Sequence, residues 1–187
     1  MDVPKKKQTF TYVHASRVLL REVKFPGARP DKMWFELGGV AYQYGKQEFT
    51  LITRLRFSPI DREILQTRPA KDGSLRTRLF PDKEVVNLED IKELLDTKPD
   101  VDKDDALKME YLAMVNMLLM GHDERASIED FHWSLVQDLE SFRSFPWGTY
   151  IYSQRLHYIR LATTGWKLNA QVGKKVNLYA FVWAFQV

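Results

Sequence analysis

The chain contains no cysteine. That absence excludes disulfides, zinc ribbons, iron–sulfur clusters and a cysteine nucleophile, and it suits a reducing compartment. No uncharged apolar run approaches the roughly 20 residues that a membrane-spanning helix needs. The start, Met1-Asp2-Val3-Pro4-Lys5-Lys6-Lys7, carries charge with no apolar stretch behind it, so it does not read as a signal peptide. There is no GxGxxG, P-loop, GxSxG or HExxH motif. Acidic residues are also absent from the whole C-terminal part of the chain. Residues 1–80 hold 16 Lys and Arg against 8 Asp and Glu, residues 81–140 hold 6 against 17, and residues 141–187 hold 6 against none.

Hydrophobic residues make up 44% and aromatics 13% of 187 residues. This is enough apolar surface to build a core, and the length suits one domain. The basic–acidic–basic order has two readings. Either acidic middle helices neutralise the flanking segments, or a basic face meets nucleic acid or an acidic protein.

Residues 1–9 read as a flexible basic tail, and Lys5-Lys6-Lys7 as a minimal nuclear-import patch or a solvated terminus. Val13, Val18, Leu19 and Val23 lie at helical spacing, ended by Pro26-Gly27. Met33–Leu37 and Val40–Tyr44 flank Gly38-Gly39, which predicts a β-hairpin. Residues 46–57 fit either a strand or a helix. Residues 58–86, with Pro59, Pro69, Gly73 and Pro81, predict a partly mobile basic loop. Asn87 and Asp90 have N-capping spacing ahead of Ile91, Leu94 and Leu95.

Residues 105–120 form the strongest helical pattern, apolar nearly all round, and so predict the centre of the domain. Gly121 is its cap, and its four methionines read as core filler or as an adaptable binding surface. Ile128, Phe131, Leu135, Leu139 and Phe142 mark a further helical face. Another helix is expected over Tyr150–Leu161, punctuated by Gly165. The terminal run Leu178–Phe185 is apolar enough to require burial, which predicts that the parent protein continues past Val187.

Candidate chemistry is sparse. His14, His122, His132 and His157 have no metal-ligand spacing and read as structural. Asp100, Asp102, Asp104 and Asp105 lack the glycine and the terminal glutamate of a calcium loop, and read as a solvated helix start. Tyr150, Tyr152, Arg155, His157, Tyr158, Arg160, Trp166 and Lys167 mix aromatics with cations. They fit either base stacking or a core with arginines on its outer face.

Two stretches carry a resemblance. One is Phe35-Glu36-Leu37-Gly38-Gly39-Val40-Ala41-Tyr42-Gln43-Tyr44 with Gln47-Glu48-Phe49-Thr50-Leu51-Ile52-Thr53-Arg54-Leu55. The other is Asp138-Leu139-Glu140-Ser141-Phe142-Arg143-Ser144-Phe145-Pro146-Trp147-Gly148. With Asp104–Lys108 between them and Tyr179–Phe185 at the end, this order resembles the plant domain of unknown function 1985. The resemblance implies that 46–55 is a helix. It also implies a plant transposon-derived parent protein, often carrying a SUMO-protease domain. Arg54 stands where the family pattern leads one to expect a small residue, usually glycine.

The expectation is therefore a mostly helical α+β fold. It has five or six helices and a small β-hairpin near the N-terminus, with residues 10–187 as a single globular domain. The expected function is a non-catalytic interaction module that binds a protein. No cofactor or metal is implied, no membrane is involved, and the setting is intracellular, in the nucleus. The alternative is nucleic-acid binding through the basic segments, with Arg62, Arg68, Lys71, Arg76 and Arg78 as contacts. A third reading is a domain integrated in a plant immune receptor as a pathogen bait. Trp34, Phe35, Pro146, Trp147 and Gly148 are the expected structural anchors.

Overall fold

The computed structural model describes residues 21–97 and 100–169, with side chains through Leu161. Most of the expected helix over 13–24, the N-terminal tail and the terminal apolar run lie outside the described residues. The fold is α+β and mostly helical. Contacts divide the chain into two units, Met1–Phe57 with Gly148–Val187, and Ser58–Trp147.

The first unit is built on the hairpin of β1 (Met33–Leu37) and β2 (Val40–Tyr44). Leu37 pairs with Val40, so Gly38 and Gly39 alone make the turn, and both have positive φ, at 61° and 81°. Only glycine holds two such residues in succession without a steric penalty. Arg21–Val23 lies against the outer edge of β1. The Val23 N–H donates to the Trp34 carbonyl at 2.8 Å, and the Glu36 N–H donates to the Arg21 carbonyl at 3.0 Å. Val23 is thus extended, not helical; pairing with β1 overrides its helical spacing.

Residues 46–53 form helix α1 (Lys46–Thr53), as the resemblance implies. Phe49 is fully buried while Leu51 is 79% exposed, so the helical face wins over the strand face. Arg54 ends α1 in the left-handed conformation at φ 55°. Helix α7 (Trp147–Asn169) belongs to this unit from Gly148 onward and runs through Gly165 without a break. Its Tyr152 packs against Phe49 and Phe57, at centroid distances of 5.5 and 6.1 Å.

The second unit holds the other helices. The basic stretch expected as a loop contains a 3₁₀ turn (Ile64–Gln66) and helix α2 (Leu75–Leu79). Ser74 caps α2, and Leu75 and Phe80 anchor it in the core. Helix α3 (Leu88–Thr97) opens with the expected reciprocal cap. The Asp90 N–H donates to Asn87 Oδ1, and the Asn87 N–H donates to Asp90 Oδ2, both at 2.9 Å. Helix α4 (Lys103–Ala113) starts at Asp102, whose carboxylate accepts from the Asp104 and Asp105 N–H groups. Helices α5 (Asp130–Leu135) and α6 (Leu139–Ser144) follow. Among the described residues there are thus seven α-helices, against the five or six expected, and the surplus comes from short ones.

The Phe145-Pro146-Trp147 corner closes this unit. Trp147 is buried against Phe142, Phe145 and His132, with centroids at 5.0, 4.7 and 5.4 Å. Its indole N–H donates to the Phe142 carbonyl at 2.8 Å, so the one polar atom of the ring is satisfied at a helix end.

Candidate functional site

α4 does not end at Ala113 but widens into a π-helical turn over Met114–Leu119. The cause is Asn116. Its side-chain amide donates to the Leu112 carbonyl at 2.8 Å, taking the acceptor that the regular ladder offers to its own backbone N–H. The ladder then shifts by one residue, and the Met120 N–H donates to the Val115 carbonyl at 2.8 Å. Gly121, at φ 67°, ends the segment as expected.

This register sorts the side chains into two sets. Met109, Leu112, Val115, Asn116 and Met120 face the core. Leu107, Met114, Met117 and Leu118 face solvent, with exposures from 37% to 64%. The apolar circumference of this segment is therefore not buried all round, and the expectation of a fully central helix is corrected. Its exposed side is a stripe of one leucine, two methionines and a second leucine, spanning about three helical turns or some 16 Å. Beside it, the Arg143 guanidinium sits 5.2 Å from the centroid of the Tyr111 ring and donates to the Tyr111 hydroxyl at 3.0 Å. Tyr111 is thereby fixed at the margin of the stripe.

The basic residues expected to touch nucleic acid are placed differently from one another. Arg78 makes a two-pronged ion pair with Asp105, both bonds at 2.8 Å, and the Asp105 carboxylate is almost wholly buried. Arg76 pairs with Asp130 at 3.2 Å and also donates to the Glu84 carbonyl. Arg68 approaches the same Asp130 at 3.8 Å. Arg62 and Lys71 are exposed. The stretch 62–78 thus spends three of its cations on carboxylates of the acidic middle region, which is the neutralising arrangement.

Trp34 is half-buried and Phe35 buried in the hairpin, while Trp147 and Gly148 are buried and Pro146 half-buried at the corner. Tyr150 and Tyr152 are core residues, whereas His157 and Arg160 are exposed. Arg155 departs from the expected outer face. It is 2% exposed, with its guanidinium 5.6 Å from the Phe49 centroid and 6.0 Å from that of Tyr44. Burial lowers its pKa from the ordinary value, and the neighbouring Tyr44 acts in the opposite direction. Its position was readable from the Ile151, Arg155, Ile159 spacing, but its residue type argued for solvent.

His132 is fully buried, and desolvation, with a smaller contribution from His122, pushes its pKa down to about 3. A neutral imidazole in an aromatic nest is a packing residue. Among the described residues, no three His, Asp or Glu side chains converge on a point that could hold a metal ion. Nor is any described helix long and apolar enough to cross a membrane.

A family model described as "Domain of unknown function (DUF1985)" matches residues 19–156. The chain belongs to this family. The DUF1985 match takes in the hairpin, α1, the α4 stripe and the Phe145–Gly148 corner, and it ends before the terminal apolar run. No curated protein and no solved structure matches the chain.

Proposed function

We propose that this DUF1985 domain is a non-catalytic interaction module that docks a protein partner on the stripe of Leu107, Met114, Met117 and Leu118. The observation that carries the reading is the exposure of these four side chains on one continuous segment. Contiguous exposed apolar surface is costly in water and marks interaction sites. Methionine suits such a surface because its unbranched, polarizable side chain repacks around different partners. The spacing fits an amphipathic helix of the partner laid along the segment.

The wider setting belongs to the same proposal. The family resemblance supports a plant transposon-derived parent protein with a SUMO-protease context, and Lys5-Lys6-Lys7 supports a nuclear one. Without cysteine, this chain supplies no cysteine-protease nucleophile of its own.

The test is a double substitution, Met114→Glu with Leu118→Glu, on solvent-facing positions. The variant is expected to keep its melting temperature and to lose the partner that the parent chain retains in quantitative affinity purification. Recovery of that partner at the parent level would refute the stripe as its docking site.

A further inference from the structure

The first unit carries a second surface of different chemistry. A cleft of about 330 Å³ is lined by Glu22–Phe25, Ala28–Pro30, Lys32–Trp34 and Arg160. Four of these residues are cations, Lys24, Arg29, Lys32 and Arg160, and Glu22 is the sole carboxylate among them. Phe25 is 43% exposed and stands edge-on to Trp34, with centroids 5.4 Å apart and an interplanar angle of 78°. An aromatic ring of this size is thus held at the mouth of a cationic recess.

The recess is built rather than accidental. Its wall consists of two successive turns. The Ala28 N–H donates to the Phe25 carbonyl and the Lys32 N–H to the Arg29 carbonyl, both at 3.1 Å. Gly27, at φ 77°, supplies the positive φ that the first turn requires. The second turn is clamped from α7. The Tyr152 hydroxyl donates to the Asp31 carbonyl at 2.6 Å, and the Arg160 guanidinium donates to the Pro30 carbonyl. Asp31 pairs with Arg29 at 3.1 Å and Gln43 accepts from Lys32 at 3.2 Å, which orients both cations.

We propose that this cleft binds single-stranded nucleic acid. A base stacks on Phe25, and Lys24, Arg29 and Arg160 meet the phosphates beside it. Stacking requires a base whose face is accessible, which a single strand offers and a duplex does not. An acidic peptide would use the cations but would gain nothing from the π-face of Phe25. The surface differs from the basic stretch 62–78, which has no aromatic residue to stack a base; there Arg68, Arg76 and Arg78 are engaged by carboxylates, as Arg29 is by Asp31 here. It also lies on a different unit from the protein-docking stripe, so either reading can fail alone.

The experiment uses the full 187-residue chain and fluorescence anisotropy. The probes are labelled oligothymidylate and oligouridylate of about twelve nucleotides, a length that covers one short binding site. Saturable binding is expected, with a slope of log K against log salt near roughly −2, as about three phosphate contacts on a single strand give. Phe25→Leu keeps the apolar bulk but removes the ring, and is expected to weaken binding roughly tenfold, within the range measured for lost stacking. Phe25→Trp is expected to restore it. Lys24→Glu with Arg29→Glu is expected to weaken binding and flatten the salt slope. Thermal melting establishes that each variant is folded. Absence of binding at low salt overturns the proposal. So does equal affinity for a duplex, equal competition by polyglutamate, or binding indifferent to Phe25→Leu.

Discussion

Gly148 donates its backbone N–H to the Arg56 carbonyl at 3.0 Å, and a Cβ added at Gly148 would lie 2.6 Å from that same oxygen. The ring of Phe57 closes the other side, at 2.8 Å from the added atom. Gly148 stands in the first turn of α7 and has no positive φ, so its role is close approach, not conformational freedom. Alanine here gains at most about 1 kcal/mol of helix propensity. Overpacking against a backbone oxygen and a packed ring costs more, typically 1–3 kcal/mol and sometimes above that range. Gly148→Ala is expected to destabilise the chain by about 2 kcal/mol in urea unfolding. An unchanged or raised stability would show that α7 shifts freely at its start.

Arg54 presents the opposite case. It holds a left-handed backbone at φ 55°, and it is the one non-glycine residue with positive φ among the described residues. Its N–H donates to the Thr50 carbonyl at 2.8 Å, so the cap geometry is complete and only the Cβ is strained. Its side chain is exposed. Arg54→Gly removes the strain but adds freedom to the unfolded chain, and the two effects partly cancel. A net stabilisation of about 0.5–1 kcal/mol is expected, read as a higher melting temperature. A lower one would mean that the arginine side chain makes a stabilising contact of its own.

The hairpin and the α3 cap were legible because short motifs encode them: Gly38-Gly39 demands a two-residue turn, and Asn87 with Asp90 closes a cap. Residues 46–53 were not legible from periodicity, since eight residues satisfy both periods; the family pattern decided them. Helix α2 was hidden because five residues show no period, and its cap, Ser74, and its anchor, Leu75, lie among turn-forming neighbours. Over 105–120 the apolar residues are plain in the sequence, but their burial is not. Composition does not say which side is covered, and the shift imposed by Asn116 cannot be seen in a hydrophobic pattern. The candidate stripe was therefore present in the sequence as methionines with two readings, of which core filler fits Met109 and Met120 and exposure fits Met114 and Met117. The aromatic–cationic cleft joins residues 22–34 to Arg160, a separation that no local motif spans.

The arginines of the 62–78 stretch yield a prediction about charge. Arg78→Glu would set a carboxylate against Asp105, and Arg76→Glu would do the same at Asp130. Removing the partner of a well-buried carboxylate is costly, though the half-exposed Arg78 reduces the effect through solvent screening. The double reversal is expected to cost about 2–4 kcal/mol, with partial recovery at high salt as the new repulsions are screened. Arg62→Glu with Lys71→Glu, on exposed positions, is expected to stay within about 0.5 kcal/mol of the parent chain. Chemical denaturation at two ionic strengths separates the outcomes, and equal costs for the two pairs would contradict the neutralising role.

His132 makes the stability of the chain depend on pH. In the unfolded chain its imidazole titrates near 6.5, whereas in the fold burial holds its pKa down to about 3. Between these values the unfolded chain takes up a proton that the folded chain does not. Stability is therefore highest above about pH 6.5 and falls as the pH drops, by about 1.4 kcal/mol per unit, until the folded pKa is reached. By about pH 5 the loss from this residue is about 2 kcal/mol. His122 is shifted in the same direction by its own burial, and Asp90 also favours the fold at higher pH. Comparison with His132→Leu cancels both contributions. The stability difference between about pH 7.5 and pH 5 is expected to be about 2 kcal/mol smaller in the variant than in the parent chain. NMR titration of the imidazole supplies an independent reading: its resonances are expected to stay in the neutral form down to about pH 4. A resonance that moves with a midpoint near 6.5, or identical pH dependence in the two chains, would place a charged or solvated histidine at this site.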